Sequence, residues 1–348
     1  MSLYKKQVYI DDLDTAISAV VCFEKLKNKM IMIAGAAGLI GSFLVDLLMR
    51  ANEIFDANIT ILALGRSRER LSKRFEEIKT DKLIYIQQDV TEGIDLNYLA
   101  DFIIHAASNA YPASFNTDPV GTIMSNILGT KRLLDYGLSH KTQRLLFVSS
   151  GEVYGQGDLA IDSFEESYSG YLDPVQPRSC YPASKRTAET LCTSYTKQFG
   201  LDTVIVRPCH TYGPNVTSSD NRANVQFVNN VLRGEDIVMN STGTQMRSYC
   251  YISDCASAIL TVLLNGKSCE AYNIVNSGCR ATIADFARTV AKVAGRNLIF
   301  ENPDTIALAE QTPILKQVLN TEKLESLGWE GKYSVQIGIE HTLSALID

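Results

Sequence analysis

The sequence has little that would fasten it to nucleic acid, to a membrane or to a metal. Its 33 lysines and arginines are outnumbered by 39 aspartates and glutamates, for a net charge of -6, so no basic surplus draws it to a polyanion or an anionic bilayer. No run approaches the roughly 18 consecutive apolar residues of a membrane-spanning helix. The opening "MSLYKKQVYIDD" lacks the apolar core of a secretory leader. The eight cysteines include no C-x-x-C pair and have no histidines at ligand spacing; several sit in apolar runs, where cysteine serves as a small core residue. The expectations that follow are no metal, no disulfide framework, no nucleic-acid or membrane partner and a cytoplasmic location. Internal repeats and low-complexity tracts are also missing.

What is present is apolar material, 45% of 348 residues, enough for one large α/β unit or two lobes sharing a sheet. Residues 1–28 precede the first clear strand. In "DDLDTAISAVVCFEKL" the residues Leu13, Ala16, Ile17, Val20 and Val21 fall at helical spacing, which predicts an N-terminal helical extension packed on the main body. Strands are then predicted at 29–35, 59–65, 83–89, 101–108, 144–150 and 202–208. Helices are predicted near 39–50, 67–79, 119–139 and 182–199. Short apolar strands alternating with helices indicate a parallel sheet covered on both faces. After about residue 213 the pattern turns irregular: the polar loop "GPNVTSSDNRANV", then "RSYCYISDCASAILTVLL", "AYNIVNSG" and "TIADFARTVAKVAG". The division expected is 1–28, 29–212 and a smaller lobe 213–348, interleaved with the preceding part.

"MIAGAAGLIG" sets Gly35, Gly38 and Gly41 between a strand and an apolar helix. The spacing provides a tight turn, close backbone approach to a pyrophosphate and close helix packing, with the helix N-terminus facing the anion. It predicts a dinucleotide site on 29–212. The second strand of such a site usually ends in an acid that holds the adenosine ribose. Here it ends "LALGRSRER", with Gly65 and Arg66 in that place; an arginine there suits a 2′-phosphate, although Arg66, Arg68 and Arg70 also read as a solvated helix start. NAD is expected, with NADP left open. Asp89 and Val90 end the third strand, near the adenine.

In "CYPASKRTAETL", Tyr181 and Lys185 stand four apart on one helix face. An ammonium beside a phenol favours the phenolate, so the Tyr181 pKa is expected to fall. "LLFVSSGEVYG" runs from a buried strand into Ser149, Ser150, Gly151 and Glu152. A carboxylate at such a strand end is costly unless satisfied or used. Ser150 and Glu152, two apart, share a face if the strand conformation persists. His105, on the fourth strand, reads as structural.

These stretches, with "IIHAAS", "NILGTKRLL", "RPCHTYGP" and "RSYCYISD", resemble the extended short-chain dehydrogenase/reductases of the nucleotide-sugar epimerase/dehydratase family over about residues 29–330. The resemblance implies a Rossmann-type doubly wound parallel sheet with a smaller α/β C-terminal substrate-binding lobe. It implies Ser150, Tyr181 and Lys185 as the catalytic set, and a tightly held dinucleotide contacted also by Leu39, Ile40, Ala106 and Ala107. Asn126 becomes a polar residue on the substrate side, and Arg222 and Arg247 resemble nucleotide-diphosphate contacts. His210 replaces the asparagine usual in that motif. Helices 119–139 and 182–199 resemble the pair through which family members form homodimers.

Members of the family begin by oxidising C4 of a nucleotide-diphosphate sugar. "PRSCYPASKRTAETL" with "GTQMRSYCYISD" looks most like the UDP-glucuronate decarboxylases, and "GEVYG" resembles the sugar 4,6-dehydratases. Glu152 would serve a dehydratase as base at C5. Gly151 departs from both groups, which carry Ser or Asp there, and the C-terminal arginine of decarboxylases has only Lys316 as a substitute in "ILKQVLNTEKL". The function expected is a nucleotide-sugar (dTDP-glucose-like) 4,6-dehydratase. UDP-glucuronate decarboxylase, 4-epimerase and a catalytically silent dinucleotide-binding scaffold are the alternatives; retention of Ser150, Glu152, Tyr181 and Lys185 together argues against the last.

Overall fold

A computed structural model of the chain describes residues 3–217, 220–301 and 314–347; the centre of the polar loop after residue 213, at 218–219, lies outside them. The first half alternates in the order α1 (Gln7–Ala19), β1 (Met30–Ala34), α2 (Leu39–Phe55), β2 (Thr60–Gly65), α3 (Arg68–Arg74) and β3 (Leu83–Gln87). It continues with β4 (Phe102–His105), α4 (Pro112–Thr117), α5 (Pro119–Ser139), β5 (Arg144–Val148), α6 (Cys180–Phe199) and β6 (Thr203–Pro208). Strands such as Met-Ile-Met-Ile-Ala of β1 are apolar on both faces because helices cover both.

The second half contributes β7 (His210–Tyr212), α7 (Ala223–Leu232), β8 (Ile237–Met239), β9 (Met246–Tyr251), α8 (Ile252–Asn265) and β10 (Ala271–Ile274). Then come β11 (Arg280–Thr282), α9 (Ile283–Ala294), β12 (Leu298–Phe300) and β13 (Lys316–Gln317), with a last helix at Val335–Leu346. Seven strands form one parallel sheet in the order β3-β2-β1-β4-β5-β6-β10. This is a Rossmann-like α/β fold, and the order reverses between β1 and β4, where such sheets open a crevice at their carboxyl ends. The seventh strand, β10, comes from residues 271–274, beyond the first appearance of the second lobe. That lobe has its own small sheet, with β7, β11 and β13 all paired to β9.

Two elements differ from the sequence expectation. The basic helix is only seven residues long, capped by the Ser67 side chain, because Phe75 leaves helical geometry to bury itself. The N-terminal helix stops at Ala19, and Val20 is extended.

The extension is bolted on by polar contacts as well as by its apolar stripe of Tyr9, Leu13, Ala16 and Ile17. Asp12, fully buried, accepts hydrogen bonds from Tyr251 Oη (2.5 Å), Tyr333 Oη (2.7 Å) and His341 Nδ1 (2.7 Å). Burial pushes the Asp12 carboxyl up, against the pull of these three partners. On its other side Tyr9 donates to Asp46, which also pairs with Arg74. Among the described residues no helix is long and apolar enough to cross a membrane.

Candidate functional site

A cavity of about 720 Å³ opens at the crevice between β1 and β4 and runs toward the second lobe. Sixteen of the eighteen residues singled out from the sequence line it. At one end are Gly35, Gly38, Leu39, Ile40, Gly41, Arg66, Asp89, Val90, Ala106 and Ala107; at the other are Ser150, Glu152, Tyr181, Lys185, His210 and Arg222. Asn126 and Arg247 do not line it.

The glycine turn fits a dinucleotide on steric grounds. Gly35 has φ +83°, and a Cβ there would stand 2.7 Å from the Ala107 nitrogen; one on Gly41 would stand 2.2 Å from the Gly35 carbonyl oxygen. Only bare backbone folds into this cradle, and Gly38 then caps the start of α2, whose free N–H groups favour an anion. Arg66 is exposed at the end of β2. Burial opposes it, but donors from the Thr91 backbone and hydroxyl, with the Arg66 charge, hold the Asp89 carboxyl below its usual range.

At the other end the expected strand does not persist. β5 ends at Val148, Ser150 is an extended cap, and Gly151–Tyr154 form a single 3-10 turn. The Ser150 hydroxyl accepts from the Glu152 N–H at 3.1 Å. Strand alternation therefore does not bring Ser150 and Glu152 together; a capped turn does, as expected for a serine that competes for local backbone donors. Beneath it Ser149 donates to Glu189 (2.5 Å), which is locked to Arg207 through both oxygens, at 3.0 and 2.7 Å.

Tyr181 and Lys185 lie on α6 as the spacing requires, but their electrostatics differ from the expectation. Lys185 Nζ donates to the Val148 carbonyl at 2.8 Å and lies 4.6 Å from the centre of the Phe147 ring and 5.8 Å from that of Tyr181. Burial pushes Lys185 down to about 7. Burial, and then the charge of Glu152, pushes Tyr181 up to about 12, while the Ser150 hydroxyl bonded to it works the other way. The reading from i, i+4 spacing left out desolvation, which penalises both charged forms and is here the largest influence on each. His105, fully buried with neither ring nitrogen bonded, is pushed to about 3 by burial and then by Lys185.

Three partners of the site were not visible in the sequence. Arg178 Nη2 reaches both Glu152 oxygens, at 3.1 and 3.0 Å, with its guanidinium 4.5 Å from the Phe115 ring centre. Its one signal is its place three residues before Tyr181. Asp220 holds Arg222 at 2.7 Å, so that arginine meets a phosphate only by exchanging a carboxylate for it. Gln317 lines the cavity.

Asn126 is fully buried, accepting from Ser108 (2.8 Å) and donating to Ser184 (2.9 Å). It ties α5 to α6 next to Lys185, and its amide is committed there rather than turned to the cavity. Arg247, 2% exposed, donates to the carbonyls of Met246 and Ile314, and burial lowers its pKa. His210 does face the cavity, held neutral by burial and by the charges of Arg247 and Arg222. Lys316, expected to substitute for an arginine, is turned away: its ammonium donates to the carbonyls of Leu159 and Ile161.

Residues 31–276 match the model of the NAD dependent epimerase/dehydratase family. UDP-glucuronic acid decarboxylase 3 of Arabidopsis thaliana is 36% identical over 322 residues, covering 90% of this chain and 87% of that protein. Among solved structures, dTDP-glucose 4,6-dehydratase from Streptomyces venezuelae with NAD bound superposes with a TM-score of 0.75 at 24% identity, covering 91% of this chain and 96% of that one. UDP-glucose 4-epimerase from Thermotoga maritima with UDP-glucose gives a TM-score of 0.75 at 20% identity, covering 91% and 98%.

Proposed function

Because the chain belongs to the NAD-dependent epimerase/dehydratase family, a group of nucleotide-sugar modifying enzymes, we propose that it is a 4,6-dehydratase of a nucleotide-diphosphate hexose. The observation that carries this choice is the charge state of the Glu152 end of the cavity. Among the described residues the cations at that end are already engaged: Arg178, beside the lining, pairs with Glu152, Arg222 pairs with Asp220, and Lys185 donates to the Val148 carbonyl. A hexuronate carboxylate would enter beside Glu152 with no free counter-charge among the described residues, whereas a neutral hydroxymethyl group meets no such penalty.

The Gly35–Gly41 turn and Lys185 would hold NAD, which when bound would supply the hydride acceptor and donor. Tyr181 Oη takes the proton of the C4 hydroxyl, with Ser150 orienting that hydroxyl. The resulting C4 ketone acidifies the C5 proton, which Glu152 accepts. The C6–O bond then breaks and the oxygen departs as water, with a proton supplied by the site; the C5=C6 bond left behind is closed when the hydride first removed from C4 returns to C6 and a proton returns from Glu152 to C5. Arg178, bonded to both Glu152 oxygens, fixes the carboxylate in direction, so the base is in place before the ketone forms.

A second reading, UDP-glucuronate decarboxylase, is favoured by the 36% identity to proteins of that name. Mass spectrometry of the products from a panel of nucleotide sugars separates the two: loss of water supports the dehydratase, and loss of carbon dioxide replaces it. Glu152→Gln sharpens the test. The variant is expected to reduce its cofactor within about threefold of the wild-type rate while product formation falls by about 10²–10⁴, followed by absorbance and by product mass. Normal product formation would remove Glu152 from the role of base.

We also propose a homodimer through the outward faces of α5 and α6, where Val120, Met124 and Leu138 stand exposed on α5. Light scattering is expected to give the mass of two chains and, for Met124→Glu, of one.

A further inference from the structure

We propose that Gln317 reads the substituent on C5 of the sugar through a neutral carboxamide that lies against Gly151. The inference rests on the C4-oxidation reading above and adds the part of the substrate that selects it.

Gln317 is 3% exposed yet lines the cavity. Its Nε2 is buried with no hydrogen-bond partner. A buried amide donor without an acceptor is a cost that native proteins rarely carry for nothing. Its place is fixed by β13, which pairs Gln317 with Arg247 of β9. A Cβ on Gly151 would stand 3.4 Å from Nε2, 3.5 Å from Cδ of the same amide and 3.3 Å from Leu319 Cδ1. The unpaired donor therefore lies against the first residue of the turn that carries Glu152, at the end of the cavity where C5 is handled.

Alternation along a strand decides which of two neighbours does the reading. Lys316 and Gln317 point to opposite faces; the ammonium goes to the carbonyls of Leu159 and Ile161, and the amide goes inward. An amide gives N–H donors and carries no charge. It suits a hydroxyl or hydroxymethyl oxygen and makes a poor counter-ion for a carboxylate. The selected substrate class is thus a nucleotide-diphosphate hexose that is neutral at C6.

The test compares holoenzyme of the wild type, Gln317→Ala and Gln317→Arg on UDP-glucose, dTDP-glucose and UDP-glucuronate, with melting temperature as the control for folding. The wild type is expected to prefer a hexose nucleotide. Gln317→Ala should lose about 10–100-fold in kcat/KM for that hexose, mainly through KM. Gln317→Arg should raise the uronate-to-hexose ratio of kcat/KM by about 100-fold or more. A hexose kcat/KM for Gln317→Ala within twofold of wild type, or an unchanged ratio in Gln317→Arg, overturns the role of Gln317. A wild type that prefers the uronate overturns the neutral reading even if C4 oxidation stands. A wild type that epimerises the hexose overturns the dehydratase reading alone, and Gln317 is then judged by the same ratio. Failure of every protein, wild type included, to reduce its cofactor with any of the three sugars overturns the functional reading and the inference together.

Discussion

Tyr181→Phe is expected to lower the rate of cofactor reduction by a nucleotide sugar by at least about a thousandfold, with the melting temperature within about 2 °C of wild type. In the proposed reaction the phenol takes the C4 proton; it lines the cavity, is 6% exposed and is bonded to Ser150. With its pKa at about 12 in the chain alone, the phenol is protonated through the neutral range, so the reaction depends on what lowers that value when substrate and cofactor arrive. Lys185, itself pushed down to about 7 by burial, lies 5.8 Å from the centre of the Tyr181 ring. Phenylalanine keeps the stack on Phe115, whose ring centre is 4.7 Å away, and removes only the oxygen. Single-turnover absorbance of the reduced nicotinamide reads the effect directly; a loss under tenfold would remove Tyr181 as the base.

Asp12→Ala is the second large effect, and it falls on stability. The change strips the acceptor from Tyr251, Tyr333 and His341 at once, in a cluster where Asp12 has no exposed surface. Leaving several buried donors unpaired costs about 3 kcal/mol or more, a fall in melting temperature on the order of 5 °C. The sign of the pH dependence follows from the upward shift of Asp12. Its contribution is fully present below the unfolded carboxyl value and is lost as pH rises through the folded one. Asp12→Asn, which imitates the protonated form, is therefore expected to cost less than Asp12→Ala. Calorimetry of the three proteins at neutral pH checks the order; equal melting temperatures for Asp12→Ala and wild type would show that the extension is held by its apolar stripe alone.

Much of the architecture was legible because it is written in short-range patterns. Five-residue apolar runs mark strands of a doubly covered sheet, and the three glycines of the first turn mark a backbone that tolerates no Cβ. The cavity lining was legible for the same reason, since it sits at the carboxyl ends of those strands. What stayed hidden depends on distance or on surroundings. Arg178 meets Glu152 across a separation of 26 residues. The choice between Lys316 and Gln317 rests on a two-residue strand with no hydrophobic alternation to set its phase. The tyrosine shift was misread because a pair of charges is visible in a sequence and the water stripped from around it is not. The turn after β5 was read as more strand because Ser-Ser-Gly carries no sign of where pairing stops.

The provenance of β10 bears on how the chain is made. Its strand borders β6 in the large sheet, yet more than sixty residues of the other lobe are threaded between them. On the ribosome, every residue of the first six strands is in place long before Ile274 appears. For that interval the Thr203–Pro208 edge has no neighbour, and an apolar, unpaired edge is where nascent chains adhere to one another. The second lobe is thus also a delay in the closing of the first, and the two halves mature as one folding unit.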